Sequence, residues 1–169
     1  RFLTTSLATN DVAAAHAGYA TYRRALIRNG LELYELRPDA SSVKRNWSLL
    51  AGRSKASLHT KAFVVDRELV VIGSFNVDPR SIALNTEIVI LVESPELAAQ
   101  VLEYMDEGVQ PENSYRVILQ TDAEANTERL VWITETEGEE VRYYSDPGVS
   151  FWRRMSTWFI GLFPIEEHL

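Results

Sequence analysis

The 169-residue sequence contains no cysteine. That excludes a disulfide framework, a thiolate nucleophile and a cysteine-based metal site. Histidine is scarce: only His16, His59 and His168 occur. No two of them stand at ligand spacing, so no metal and no other cofactor is implied. No run of 18 apolar residues is present, so nothing in this sequence reads as a membrane-spanning helix. No stretch reads as a secretory signal, and no internal repeat or low-complexity segment is evident. The sequence opens on Arg1 directly in an apolar run, and it reads as a piece of a longer protein.

Positive charge is short overall and unevenly placed. The net charge is −7. Residues 1–61 hold ten Lys or Arg against four Asp or Glu, a balance of +6; residues 62–169 hold seven against twenty, a balance of −13. Lys44, Arg45, Arg53 and Lys55 crowd the stretch ahead of His59. They read either as a steering patch for an anionic substrate or headgroup, or as an ordinary solvated loop. The acidic balance argues against a dedicated nucleic-acid binder, which shows a broad basic face.

What is there in strength is the segment from His59 to Glu87, HTKAFVVDRELVVIGSFNVDPRSIALNTE. It spaces His59, Lys61, Asp66, Gly73, Ser74, Asn76 and Glu87 around two short apolar runs. Phe63-Val64-Val65 and Leu69-Val70-Val71-Ile72 read as strands. The short join between them predicts a hairpin. A two-residue turn at Arg67-Glu68 would set Lys61 opposite Ser74 and His59 opposite Asn76. Directly opposed residues share a face, so the four polar groups would converge at one end. A slip of one residue would separate them. Gly73 reads as a point of close backbone approach at a strand end.

The remaining elements are set by local signals. Phe2–Thr5 predicts a strand. Asn10 or Asp11 caps a helix running to about Asn29, stopped by Gly30. Residues 31–36 read as a strand and 38–57 as a long loop carrying Trp47. Residues 87–92 predict a further strand, starting at Glu87 beside the hairpin. Ser94-Pro95-Glu96 starts a helix that ends near Gly108. Residues 116–120, 130–134 and 141–144 predict late antiparallel strands. Asp146-Pro147-Gly148 breaks the chain before a last helix. Strands from Phe2, Leu31, Thr60, Leu69 and Asn85 are expected in one mixed sheet with helices on its faces. The last helix carries Phe151, Met155, Trp158, Phe159 and Leu162 on one side. It reads either as an interfacial helix with Trp152, Arg153 and Arg154 near headgroups, or as a helix packed on the core or on another part of the protein. His16 and His168 fit no constellation and read as incidental.

The His59–Glu87 pattern resembles the HKD motif of the phospholipase D superfamily and matches at every motif position. Further stretches resemble the C-terminal half of bacterial cardiolipin synthases of the C type. They are Ser6 to Ala13, His16-Ala17-Gly18-Tyr19, residues 30–35 and the closing residues 162–166. The resemblance covers most of the chain. Thr5 stands where the family usually carries Asn ahead of Ser6, which bears on a secondary substrate contact. The resemblance implies an α/β fold, a phospholipase D-like domain with a mixed β-sheet flanked by helices on both faces. Residues 1–169 would form one such domain, with 146–169 as its C-terminal helix and tail.

It also implies chemistry. Two HKD copies meet about a pseudo-two-fold axis, one histidine attacking phosphorus and the other serving as acid and base. The second copy is to come from the N-terminal half of the same protein or from a homodimer partner. As part of a second copy, His59 is assigned the acid/base role, with nucleophile as the alternative. Lys61 is expected to hold a phosphate oxygen by charge, and Ser74 and Asn76 to donate hydrogen bonds to it. Glu87 is expected to accept the other ring N–H of His59. Asp66, named in the motif and counted with the catalytic set, sits at the far end of the hairpin and reads as a turn residue. The implied activity is a phosphatidyltransferase on a phospholipid substrate. A hydrolytic phospholipase D is the runner-up, and a nuclease of the superfamily stands behind it. The implied place is peripheral, on the cytoplasmic side of the bacterial inner membrane.

Overall fold

The computed structural model describes residues 1–10, 13–40, 60–76, 81, 85–122 and 127–160. In chain order the elements are β1 (Phe2–Thr5), α1 (Ala13–Arg28), β2 (Leu33–Leu36), β3 (Ala62–Val65), β4 (Leu69–Gly73) and β5 (Val89–Glu93). They continue with α2 (Pro95–Gly108), β6 (Ser114–Asp122), β7 (Thr127–Thr136), β8 (Glu139–Tyr143) and α3 (Phe151–Ile160). Local chemistry sets their ends. Gly30 takes a φ of 85° beyond the end of α1, and its N–H bonds to Ile27 at 3.0 Å. Ser94 caps α2, its hydroxyl accepting from the Leu97 N–H at 3.2 Å, with Pro95 in the first turn.

The strands form two sheets rather than the single one expected. One runs β1-β2-β6-β7-β8 and the other β3-β4-β5. β1 and β2 pair in parallel, while every other pairing is antiparallel. β2 has β1 on one edge and β6 on the other. No edge of β2 is left for the motif hairpin, which extends through β5 instead.

α1 packs on one face of the larger sheet, and the C-terminal end of α2 meets Leu3 on the other. Successive strand residues point to opposite faces. Phe2 packs with Tyr19 and Ile27 of α1 around Leu33, Tyr115, Val117 and Trp132. Its neighbour Leu3 packs with Leu36 and Ala40 and lies against Gly108 of α2. The expected α/β architecture is thus present, with α1 and α2 on opposite sides of a mixed sheet.

The core holds a polar network beneath α1. Arg23 donates to Glu35 at 2.7 Å and to Asp146 at 2.9 Å. Trp132 Nε1 and the Tyr19 hydroxyl also donate to Glu35, each at 2.9 Å. The Arg23 guanidinium lies between the Tyr19 and Trp132 rings, 5.1 and 5.2 Å from their centroids. His16 belongs to this network and is not incidental. It is 1% exposed, with Nε2 2.9 Å from Arg23 Nη2. His168 lies outside the described residues.

Burial raises the Asp146 carboxyl, but His16 and the Arg23 charge outweigh that and hold it down to about 2 from an ordinary 3.8. A carboxyl depressed on folding adds stability that is fully present above its unfolded value and is lost as pH falls through its folded value. The window therefore runs from about pH 4 down to about pH 2. In the full-length protein, urea titrations across that window should show a steeper acid loss in the natural chain than in Asp146→Asn. The difference should be roughly 2 kcal/mol. Parallel pH profiles in the two proteins would remove Asp146 from the acid response.

Candidate active site

Lys61, Ser74 and Glu87 meet where the three-stranded sheet ends. Residues 61–76 reach that end differently from the sequence expectation. The turn centres on Asp66 and Arg67, with φ of 52° and 62°, and the Glu68 N–H bonds to Val65 at 3.1 Å. Val65 pairs with Leu69 and Ala62 with Ile72, so three residues separate the strands rather than two. Continuing that register sets Lys61 beside Gly73, whose N–H donates to the Lys61 carbonyl at 3.2 Å. The expected pairing of Lys61 with Ser74 is therefore off by one. Aspartate tolerates positive φ better than most residues, and this fixes Asp66 as a turn residue at the end away from Glu87.

Ser74 nevertheless reaches Glu87, because the chain bends there. The Ser74 N–H bonds to the Ile88 carbonyl at 3.0 Å, and its hydroxyl accepts the Ile88 N–H at 3.0 Å. The same hydroxyl donates to Glu87 Oε2 at 2.5 Å. Gly73 makes the bend possible. A Cβ there would stand 2.1 Å from the Ile88 carbonyl oxygen. This is backbone against backbone, so no side-chain rotation relieves it. Gly73→Ala should lower the unfolding free energy of the full-length protein by about 1–3 kcal/mol. A urea midpoint matching the natural protein would contradict the close approach.

Glu87 is the hub. Besides Ser74, its carboxylate accepts from Ser81 Oγ at 2.8 Å and Asn85 Nδ2 at 3.3 Å. Hydrogen bonds from Ser74 and Ser81, with Asn85 and the Lys61 charge behind them, hold the carboxyl below the ordinary glutamate range. It is a fixed, ionised acceptor. Ser81 is buried and was not singled out from the sequence. The available signal was the spacing Ser81-x3-Asn85-x-Glu87, a hydroxyl, an amide and a carboxylate within seven residues. Ser74 has one hydroxyl proton, and here it goes to Glu87. In this geometry it braces the carboxylate and would reach a phosphate oxygen only by releasing it.

Asn76 lies two residues beyond the bend and is exposed. His59 and the cluster Lys44, Arg45, Arg53 and Lys55 lie outside the described residues. Ser6, at the end of β1, is fully buried, its Oγ 3.2 Å from that of Thr9.

Beside the site, β5 is apolar and open. Ile88, Val89, Ile90 and Leu91 are all exposed, Leu91 at 64% and Ile90 at 56%. Consecutive residues face opposite sides of the sheet, so both faces of this edge strand are uncovered. Phe63 and Val65 on β3 and Ile72 on β4 add to the apolar surface.

A profile described as "Cardiolipin synthase, PLD-like domain" matches residues 1–108. The chain belongs to the cardiolipin synthase, phospholipase D-like family. Over 97% of its length it is 40% identical to cardiolipin synthase C of Escherichia coli, covering 34% of that protein. Over 98% of its length it is 31% identical to an uncharacterized protein of Helicobacter pylori, covering 31% of that chain. Cardiolipin synthase A of Cronobacter sakazakii is 40% identical over 52 residues, 31% of this chain. The chain thus spans about one third of the length of the cardiolipin synthase C and Helicobacter relatives. No solved structure matches it.

Proposed function

We propose that this chain is the second HKD half of a phosphatidyltransferase of the cardiolipin synthase type, working through a phosphohistidine. The observation that carries the reading is the Glu87 cluster. An ionised carboxylate is held by Ser74, Ser81 and Asn85 beside Lys61, within the segment that the family profile matches. Glu87 orients His59 by accepting one ring N–H. In the first step the other half's histidine nitrogen bonds to phosphorus while the bond to the leaving alcohol breaks. His59 gives that alcohol its proton. In the second step His59 takes the proton of the acceptor alcohol, whose oxygen attacks phosphorus and displaces the histidine nitrogen. Lys61 and Asn76 stabilise the phosphoryl oxygens in both steps.

The uncovered apolar strand β5 supports a missing partner. An apolar edge strand, paired on one side only among the described residues, is something natural proteins avoid leaving bare. In this reading it packs against the first HKD half, and the enzyme works peripherally at the cytoplasmic face of the inner membrane.

The test is product analysis of the full-length protein given labelled phospholipid in the presence of a chelator. A product carrying two phosphatidyl groups is expected, at an undiminished rate. Phosphatidic acid as the sole product would make the enzyme a hydrolase. Turnover lost in chelator and restored by a divalent ion would overturn the metal-free mechanism. The isolated 169-residue chain should show no turnover unless it pairs, since one histidine cannot be nucleophile and leaving-group acid in the same step.

A further inference from the structure

The family profile ends at residue 108. The C-terminal segment beyond it, β6 to α3, is shared along its length with cardiolipin synthase C and the Helicobacter relatives. It carries a second exposed apolar feature, separate from β5. In the first turns of α3, Trp152 is 72% exposed, Phe151 63% and Met155 41%. Phe151 and Trp152 pack edge to face, centroids 5.7 Å apart. The opposite side of the helix is anchored, with Thr157 buried.

The two arginines of α3 decide what this face offers. One of the two sequence readings set them near headgroups, but the structure draws them inward. Arg153 donates to the Asn10 carbonyl at 2.6 Å. Arg154 donates to Ser145 Oγ at 3.0 Å and to the Asp146 carbonyl at 3.2 Å. Asp146 is tied in turn to Arg23. The face is therefore rigidly mounted, aromatic and uncharged. Tryptophan and phenylalanine are the side chains suited to the boundary between headgroups and acyl chains.

We propose that the Phe151-Trp152-Met155 tip of α3 docks the enzyme on the phospholipid bilayer that holds its substrate. The inference rests on the lipid-transferase reading. A water-insoluble substrate requires a contact with the bilayer, and no helix of the described residues is long and apolar enough to cross one. Because the tip carries no cation and the chain is acidic, docking should depend on apolar insertion and little on salt.

The test uses the full-length protein, the Phe151→Ser/Trp152→Ser variant and the conservative Trp152→Phe. Binding is read by flotation with vesicles of equimolar phosphatidylethanolamine and phosphatidylglycerol. Turnover is measured on those vesicles and on a short-chain phospholipid kept monomeric in solution. The double serine variant should bind vesicles about ten- to a hundredfold more weakly. It should lose turnover on vesicles but retain it on the monomeric lipid, and Trp152→Phe should keep most of both. Unchanged flotation would overturn the proposal. So would a joint loss of flotation and monomeric-lipid turnover, which would make the face an internal protein contact. If the natural protein turns over neither substrate while the double variant still loses flotation, docking stands and the transferase reading fails.

Discussion

In the full-length protein, His59→Ala is expected to lower phosphatidyl transfer about 10²–10⁴-fold, the span typical of a general acid/base group. The size of the loss should depend on the leaving group. An alkyl alcohol needs a proton to depart, whereas an activated aryl phosphodiester does not. Formation of the covalent intermediate should be partly rescued with the aryl substrate. Its breakdown still needs a base, so labelled phosphohistidine should accumulate on the other half. Lys61→Ala removes charge stabilisation from both steps, so leaving-group quality should rescue it much less. Trapping the intermediate and mapping the labelled histidine distinguishes the roles. Label on His59 itself would reverse the assignment and make His59 the nucleophile.

Arg23→Met should be the most damaging change away from the site. Glu35 is fully buried and takes its charge compensation from Arg23. Methionine fills much the same space but leaves that carboxylate without its cation and Asp146 without its partner. Removing one member of a buried pair typically costs about 3–5 kcal/mol. That is a large part of the roughly 5–15 kcal/mol that keeps a domain folded. Adding Glu35→Gln should restore a substantial share, because the stranded charge is then gone. Chemical denaturation of the single and double variants in the full-length protein measures both effects. A single variant within about 1 kcal/mol of the natural protein would show the network to be dispensable.

The parts of this fold that were legible in the sequence are those whose causes are local. The Ser94-Pro95 start of α2, the Gly30 stop of α1 and the tight approach at Gly73 each depend on a few neighbouring residues. The order of strands and helices came from periodicity, and the antiparallel late strands from their spacing. The hairpin register was not legible, because Asp-Arg-Glu lacks a turn signature. Backbone choice at Asp66 and Arg67 then decided between two and three loop residues. The two-sheet split was hidden because it depends on β6 taking the edge of β2, a pairing across some eighty residues. His16 looked solitary for the same reason: Arg23 is seven residues away, but the Asp146 it shares is bonded to Arg23 across 123. At the site, the motif named Lys61, Ser74 and Glu87. Only the bend at Ser74 and the burial of Ser81 showed that Glu87 is the group the others hold.

The network under α1 also sets where this protein can be cut. The recognisable family segment stops at residue 108, and a cloning boundary there would look natural. It would remove β6 from the open edge of β2, Trp132 from Glu35 and Asp146 from Arg23. A fragment trimmed to that segment would keep the Arg23–Glu35 pair but lose Trp132, which donates to Glu35, and Asp146, which accepts from Arg23. The piece that has to be moved as one is therefore longer than the segment the family profile outlines, and any chimaera built from this chain should carry residues 109–146 along with the motif.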